Sequence, residues 1–491
     1  MASLQSLPVE VLVDNLFTQC DLRDLLSLAR TNKLFAVLCA DDTFWRRKCE
    51  QDFNFTGAGT ARTSGWKFLY KGLHRPRIFV WGENRNGRLG LASRVDRRAI
   101  PQPTEIKIPK TRIVSLVAGG MSFHALDSVG SMYVWGTLDG QGQMALHSEG
   151  FSIPYKAATT PHKLLMPEPI RSISCGRLHT MALDSASQVW TFLSWGRPFR
   201  LQSPLLDSYA PDTTPQQIEC GWAFSSILTK SGDVLVYWPF NGDMQREIEE
   251  REAQMNEMGD KNAYATSDKC ISCAPWILQK DPFRLLVIPA LPDLPDTGLS
   301  EEQLAEETKL IKIAAYDCHI VGLTNKGHVL KFGDLSSEVS YTRGHWEYLP
   351  QFSEAARVAE HPTFSDPDST IEAPKAMHIT HISAHFETFV AYSTGRSSVI
   401  LMGSTATNAD TPPKVLPALQ HRDIISVVLG DYHFGALTAT GKLFTWGSYS
   451  QGARATHMCE FPHRTYAGIF GAPEIYHVQY IRCHTVPVDI G

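Results

Sequence analysis

The sequence has no long apolar run, no strong excess of charge of either sign and no ordered framework of cysteines. Its 46 lysines and arginines nearly balance 51 aspartates and glutamates, for a net charge of −5, so general attraction to nucleic-acid phosphates is not expected. No stretch approaches the ~20 apolar residues that cross a bilayer. Glu10 and Asp14 lie where a secretory signal would be basic and then apolar. The ten cysteines are scattered, which is typical of reduced thiols. We therefore expect a soluble protein of the cytoplasm and/or nucleus.

The composition nevertheless allows a large folded core. The 491 residues are 43% hydrophobic and 10% aromatic, which excludes a disordered or fibrous chain. A chain of this length divides into domains or forms one large repeating or barrel architecture.

Residues 7–50 differ in pattern from the rest of the chain, because their leucines recur at helical spacing. Pro8 suits the first turn of the leading helix, and Asp21 and Thr31 are candidate caps of the next two. A further helix is expected over Trp66–Arg75, ended by Pro76. About 45 residues form only a small core, so such a module usually buries more surface against a partner or a neighbouring domain.

The order of residues in this segment is more specific than its periodicity. It reads Leu7-Pro8-Val9-Glu10-Val11-Leu12, Leu16, Asp21-Leu22-Arg23-Asp24-Leu25-Leu26-Ser27-Leu28, Thr31-Asn32-Lys33-Leu34-Phe35 and Asp42-Thr43-Phe44-Trp45-Arg46. Residues 1–50 thus resemble an F-box, with mild departures at Asn32-Lys33 and Phe35. The resemblance implies docking on the Skp adaptor of cullin-based ubiquitin ligases through Leu7, Pro8, Glu10, Leu12, Leu16, Leu25, Leu26, Leu28 and Trp45. The alternative is a short helical domain whose leucines pack on one another.

From residue 77 onward a second kind of unit recurs. A β segment ends in a small residue or Gly, and a His or aromatic, a second strand, a Gly turn and a strand ending in an aromatic or Gly follow. Six copies occupy residues 113–136, 170–196, 218–238, 311–333, 379–403 and 425–447. Half-units at 79–84 and 478–484 complement each other, so the two chain ends are expected to form one blade and close the ring. The predicted fold is mainly β, a seven-bladed β-propeller preceded by a small all-α domain.

The most typical copy is Val80-Trp81-Gly82-Glu83-Asn84-Arg85-Asn86-Gly87-Arg88-Leu89-Gly90. It resembles the repeats of the regulator of chromosome condensation family, which fold as seven-bladed propellers. The domains are then an F-box at 1–50, a linker helix at 51–76 and the propeller at 77–491. This combination resembles the fungal SCF-associated factor type of F-box protein.

Two segments are too long for the repeat and are expected to be insertions, at about 240–307 and 336–374. The charged run over residues 244–252 shows no apolar stripe and is expected to be solvated. Rim loops often carry recognition, which makes Trp346 and Tyr348 candidate substrate contacts, together with Arg85 and Arg88 of a basic stretch. The alternative for the insertions is that they are tolerated without a role in recognition. The alternative for the basic stretch is a solvated loop.

Signals for catalysis are weak. Cys270 and Cys273 have zinc-like spacing without a second pair, and the histidines at 124, 179, 319 and 433 share one repeat position, which indicates strand-end hydrogen bonds. We find no phosphate loop or nucleophile elbow. No metal, cofactor or catalytic residue is expected.

The hypothesis is a non-catalytic substrate adaptor. Its partners would be the Skp adaptor, through it a cullin–RING ligase, and an unidentified protein substrate marked for ubiquitination and proteasomal degradation, with no nucleic acid or membrane. The alternative is a guanine nucleotide exchange factor or scaffold for a Ran-like small GTPase. A lectin-like or enzymatic propeller is a third reading, but convergent acid pairs are missing.

Overall fold

A helical region and then a ring of β-sheets follow one another along the chain. The computed structural model describes residues 4–55, 57, 59–84, 87–92, 99–120, 122–137, 158–177, 179–257, 268–395, 397–431, 433–447 and 459–461.

The helical region begins with short segments of 3-10, π and α geometry and continues in longer helices. They are a 3-10 turn (Leu4–Ser6), a π-helical segment (Val11–Leu16), α1 (Phe17–Gln19), α2 (Leu22–Leu28), α3 (Lys33–Leu38), α4 (Asp42–Phe53) and α5 (Trp66–Leu73). The Asp21, Asn32 and Asp41 carboxylate or amide oxygens cap α2, α3 and α4 by accepting hydrogen bonds from backbone N–H groups three residues on. The predicted cap Thr31 is therefore one residue early, and α5 ends two residues before the predicted Arg75.

Seven sheets surround a central axis, as the repeats predict. In chain order, blade 1 contains β1 (Ile78–Glu83) and β2 (Ala99–Ile106); blade 2, β3 (Ile113–Ala118), β4 (Ser122–Asp127), β5 (Met132–Gly136) and β6 (Ala158–Leu165); blade 3, β7 (Ile170–Cys175), β8 (Thr180–Asp184), β9 (Val189–Phe192) and β10 (Phe199–Gln202). Blade 4 contains β11 (Pro215–Cys220), β12 (Ser225–Thr229), β13 (Val234–Tyr237) and β16 (Phe283–Arg284). Two strands that lie between β13 and β16 in the chain, β14 (Cys270–Ser272) and β15 (Trp276–Gln279), belong to the sheets of blades 2 and 3.

The remaining three blades are four-stranded sheets. Blade 5 contains β17 (Leu310–Tyr316), β18 (His319–Thr324), β19 (Val329–Phe332) and β20 (Trp346–Tyr348); blade 6, β21 (His381–His385), β22 (Thr388–Tyr392), β23 (Ile400–Ser404) and β24 (Lys414–Val415); blade 7, β25 (Ile424–Leu429), β26 (His433–Thr438), β27 (Leu443–Gly447) and β28 (Cys459–Phe461). Consecutive strands within these blades pair antiparallel. The closing strand expected at 478–484 lies outside the described residues, so closure by the chain ends stays a prediction.

The first strands of neighbouring blades contact one another from β3 through β7, β11, β17 and β21 to β25, so they line the axis. Each is joined to its second strand by a tight turn. We call the face that carries these turns the hairpin side, and the face where the first strands begin the helical side. The six-residue strands β3, β7 and β25 place the two sides roughly 20 Å apart.

The first insertion does not behave as a solvated loop. Residues 242–257 form helix α6 (Gly242–Glu257), and Met244, Ile248 and Met255 are buried with residues of blades 3 and 4. The expectation of a solvated charged run was wrong, because these three side chains form an apolar stripe at helical spacing. Further along the insertion, β14 pairs parallel with β6 at the outer edge of blade 2, and β15 pairs parallel with β10 at the outer edge of blade 3.

The second insertion is also packed into the propeller. After a 3-10 turn (Ser340–Arg343), β20 supplies the outer strand of blade 5, followed by α8 (Pro350–Ser353), α9 (Ala355–Ala359) and α10 (Pro362–Ser365). Phe352, Val358 and Phe364 join the apolar core between blades 5 and 6. The segment is therefore structural over much of its length and is not a projecting loop. One further helix, α7 (Glu301–Ala305), precedes blade 5.

Buried histidines join neighbouring blades, in keeping with their repeated position. The Trp195 Nε1–H of blade 3 donates to His124 Nε2 of blade 2 over 3.1 Å, so His124 Nδ1 carries the proton and faces Cys175 Sγ at 3.1 Å. His179 of blade 3 bonds through Nε2 to Ser225 Oγ of blade 4 at 2.8 Å. Burial lowers the pKa of His124 to about 3 and the pKa of His179 to about 4, since desolvation disfavours the charged ring.

These lowered pKa values predict a loss of stability in mild acid. Unfolding returns both rings to a pKa near ~6.5, so the unfolded chain binds more protons below that pH. The free energy of unfolding should fall as pH drops from about 6.5 toward 4, by roughly 1 kcal/mol per pH unit for each histidine. Urea unfolding at several pH values measures this slope.

The variant His179→Gln should flatten part of the slope, because glutamine does not titrate. The exposed His345 provides the matched control, and His345→Gln should leave the slope unchanged. A slope identical in wild type and His179→Gln would contradict the assignment.

Candidate functional site

The helical domain has an aromatic core. Phe17 meets Phe35 and Phe44 edge to face, at ring-centroid distances of 6.1 and 6.0 Å, and Phe44 meets Trp45 at 5.2 Å. The Trp45 Nε1–H donates to the Cys39 carbonyl oxygen over 2.8 Å. This core orders the short helices around it, since edge-to-face rings bury large apolar surfaces with a defined geometry.

Outside this core, the described part of the first forty residues exposes six large aliphatic side chains. We call them the apolar N-terminal set: Leu4, Leu7, Val9, Val11, Leu34 and Val37, which are between 38% and 68% exposed. Single exposed apolar residues are ordinary on a folded protein, whereas a contiguous group of them marks a surface that a partner covers.

The predicted adaptor contacts divide into three groups. Leu7, Pro8 and Glu10 are exposed, whereas Leu16, Leu26 and Leu28 are half-buried. The prediction is wrong for Leu12, Leu25 and Trp45, which are fully buried in the domain core and therefore not available as surface contacts. Sequence reasoning missed Val9, Val11, Leu34 and Val37; their apolar character within helical segments was the available signal.

Helix α5 fixes the helical domain to the propeller. The Asp42 carboxylate of α4 accepts hydrogen bonds from the Gly65 and Trp66 backbone N–H groups, each over 2.9 Å, and so caps α5. Trp66, Leu69 and Leu73 are buried in one hydrophobic cluster with the helical core and with apolar residues of blades 2 and 3. The helix thus packs on the helical core, and on the propeller side its cluster includes blades 2 and 3.

The stretch between α4 and α5 reaches across the helical side of the ring. The Asn54 side-chain amide donates to the Ile170 carbonyl oxygen over 2.8 Å, at the start of β7. Further on, the Ala61 N–H donates to the Ile425 carbonyl oxygen over 2.7 Å, and His381 Nε2 donates to the Thr60 carbonyl oxygen over 3.1 Å. These contacts involve the starts of the first strands of blades 3, 6 and 7. The stretch between α4 and α5, which we call the tether, therefore crosses the axis.

The predicted substrate contacts do not form a common surface. The Arg88 side chain is fully buried, with a guanidinium nitrogen 3.7 Å from a Glu83 carboxylate oxygen. Trp346 is buried in blade 5, and its Nε1–H donates to the Leu286 carbonyl oxygen over 2.9 Å. The prediction is wrong for these two residues because neither side chain reaches the surface. Arg85 lies outside the described residues.

Tyr348 is half-buried, and its hydroxyl bonds to a residue of the same insertion. Its hydroxyl donates to the Glu354 carboxylate over 3.1 Å, and burial together with that negative charge raises the pKa of the phenol.

The described residues contain no cluster of three or more His, Cys, Asp or Glu side chains suited to a metal ion. Cys273 of the zinc-like pair has its thiol directed at the Trp195 carbonyl oxygen, 3.6 Å away, and burial raises the pKa of that thiol to about 12. Among the described helices, none combines the length and hydrophobicity needed to span a bilayer.

Two family models match the chain in the two parts that the structure separates. The F-box-like model matches residues 4–51, and the model of the regulator of chromosome condensation (RCC1) repeat matches residues 77–126. The chain joins an F-box-like domain to RCC1-type repeats.

Several proteins are similar to parts of this chain. The mitochondrial RCC1 domain-containing protein RUG3 of Arabidopsis thaliana is 24% identical over 287 residues, which cover 52% of this chain and 62% of that protein. Human protein RCC2 is 29% identical over 142 residues, covering 24% and 27%. Human HERC3, a probable E3 ubiquitin-protein ligase, is 33% identical over 117 residues, covering 23% and 10%. The chain thus spans less than two thirds of the length of these relatives.

Two solved structures are similar in fold to parts of this chain. Human WBSCR16 aligns with a TM-score of 0.48 and 17% identity, covering 83% of this chain and 100% of that chain. Yeast RCC1 (Prp20), in its complex with Kap60, aligns with a TM-score of 0.46 and 16% identity, covering 76% and 78%.

The cap on α5 is open to a direct test. We expect Asp42→Ala to lower the free energy of unfolding by about 1–2 kcal/mol, because two backbone N–H groups lose their acceptor. Asp14→Ala is the matched control: Asp14 forms a half-exposed ion pair with Arg47 at 2.7 Å, which contributes about 0–1 kcal/mol. Urea unfolding measures both, and equal losses would contradict the role assigned to Asp42.

Proposed function

We propose that this protein is the substrate-recognition subunit of an SCF-type ubiquitin ligase. The F-box-like domain would dock the Skp adaptor, and the propeller would hold a protein substrate for ubiquitination and proteasomal degradation. The observation that carries the proposal is the apolar N-terminal set. Its side chains stay exposed on a domain whose aromatic core and helix α5 are already packed against the propeller.

The chain would contribute proximity and no chemistry of its own. Holding a substrate next to a ligase replaces a bimolecular encounter with a tethered one at high effective concentration. That benefit depends on a rigid joint. The shared cluster of the helical domain with blades 2 and 3, and the hydrogen bonds of Asn54 and Ala61 to first strands, supply such a joint.

The comparisons support this proposal in part. The F-box-like match accounts for the adaptor end, and the similarity to HERC3, a probable E3 ubiquitin-protein ligase, is with a protein of the same pathway. The similarity to RCC2 covers 24% of this chain. The alternative of a Ran-like GTPase partner predicts nucleotide exchange that does not depend on the apolar N-terminal set.

Removing apolar side chains from this set should weaken adaptor binding. We expect the double variant Leu7→Ala with Val37→Ala to bind purified Skp adaptor about tenfold more weakly than wild type, because apolar area is lost from the contact. Titration calorimetry on the full chain measures the affinity. The melting temperature should change little, since these side chains are 38% and 68% exposed.

Leu286→Ala with Val287→Ala is a matched control, since it removes the same two side-chain types from the propeller rim, where they are 61% and 84% exposed. It should bind adaptor as wild type does. If neither double variant changes the affinity, or if wild type binds no adaptor, the proposed function fails.

A further inference from the structure

On the hairpin side, six blades each place one residue at the mouth of the axial channel. These residues occupy equivalent positions in the turns between first and second strands, and they are Gly120, Arg177, Trp222, Asp317, Phe386 and Asp431. The turns pack closely, since a Cβ on Gly176 would overlap the carbonyl oxygen of Gly221. The neighbouring turns of blades 3 and 4 are thereby held against one another, and the residues that follow these glycines face a common depression.

Two partly exposed aromatic rings, Trp222 and Phe386, and the Arg177 guanidinium line this depression, together with the buried Tyr316. The Arg177 guanidinium carbon lies 4.3 Å from the centre of the Trp222 ring system, a cation–π distance. The Trp222 and Phe386 rings are 5.9 Å apart and inclined by 36°. Because Trp222 belongs to blade 4 and Phe386 to blade 6, this pair spans the position of blade 5. The side chains of Arg177, Trp222 and Phe386 all remain partly exposed.

Phe386 adopts a backbone conformation that disfavours its own side chain. Its φ is +51°, in the left-handed region that glycine enters freely and bulky residues avoid. Strained residues of this kind cluster at binding and catalytic sites. His385 pairs with Thr388 across a two-residue turn, and such turns require a positive φ. The turn carries the Phe386 ring to the mouth, where it meets Trp222.

The charges at the mouth are weighted toward carboxylates. Among the described lining residues, the charged or titratable side chains include Arg177, Asp317, His385 and Asp431. Asp431 is buried, with a carboxylate oxygen 3.3 Å from His385 Nε2, and the exposed Glu387 follows Phe386 in sequence. Arg177 lies over the Trp222 ring and Asp431 faces His385. Among the described residues at the mouth, the carboxylates that remain at least partly exposed are Asp317 and Glu387, in the turns of blades 5 and 6.

We propose that the axial mouth binds a cationic side chain, a lysine or arginine, on the surface of the client protein. Phe386 would provide a cation–π face beside the Arg177–Trp222 pair, and the partly exposed Asp317 with the exposed Glu387 would provide charge complementarity. This inference rests on the proposed function, because it names the client's binding site. The adaptor surface belongs to the domain on the helical side, so adaptor and client would occupy opposite faces of the ring.

A pair of short labelled peptides tests the charge requirement. One has an arginine in a glycine–serine background, and the other has citrulline, the neutral analogue of similar shape, at the same place. Fluorescence anisotropy with the full-length protein should show the arginine peptide binding about tenfold more tightly. Equal binding of the two peptides, or tighter binding of a matched glutamate peptide, would overturn the proposal.

Three variants locate the site. Trp222→Ala and Asp317→Asn should each weaken the binding of the arginine peptide. The loss of affinity in Trp222→Ala should be about tenfold. Tyr209→Ala, which removes an aromatic side chain that is 95% exposed outside the mouth, should not weaken the binding. Unchanged binding in Trp222→Ala would place the peptide elsewhere and overturn the proposal.

Phe386→Gly separates a binding role from a structural one. Glycine accepts the backbone conformation, so the melting temperature should stay the same or rise while peptide binding falls. Unchanged peptide binding in this variant would contradict the role of the ring. Adaptor affinity, measured in parallel, should be unaffected by Trp222→Ala and Phe386→Gly. Loss of peptide selectivity with intact adaptor binding would overturn this inference alone, whereas loss of adaptor binding in wild type would overturn the proposed function.

Discussion

Burial of apolar surface between the helical domain and blades 2 and 3 is the interaction on which the rest of the arrangement depends. The helical segments before Asn54 are short, and a core of that size is marginal alone. Trp66, Leu69 and Leu73 of helix α5 extend this core into the propeller, so that one cluster continues from Leu12 to Trp195. With its inner surface covered in this way, the domain can leave aliphatic side chains such as Leu7 and Val37 exposed without losing its fold.

The two sides of the ring are specialised because each first strand runs from one side to the other. The strand starts accept hydrogen bonds from the tether around Asn54 and Ala61. The strand ends lead into turns whose outermost residues form the mouth around Trp222. A rigid β-sheet between the two sides keeps their separation constant, which a flexible linker would not do.

The blades are held in register by polar groups as well as by apolar packing. His124 and His179 each hydrogen-bond to the following blade while remaining neutral. Because desolvation disfavours their charged forms, both rings stay neutral near neutral pH. The same burial explains why histidines at this repeat position are structural, although histidine is a common catalytic residue.

Much of the architecture could be predicted from local patterns. The leucine order of residues 7–50 and the recurring strand, turn and Trp-Gly elements by themselves determined a helical start and seven blades, since both depend on short-range periodicity and turn chemistry. Only the tertiary structure decided which side chains are exposed: Leu12, Leu25 and Trp346 are covered, whereas Val37 is open, because periodicity assigns a residue to a face without saying what covers that face. The mouth likewise could not be foreseen, since Arg177, Trp222 and Phe386 are far apart in sequence and meet only when the ring brings equivalent turns to one axis.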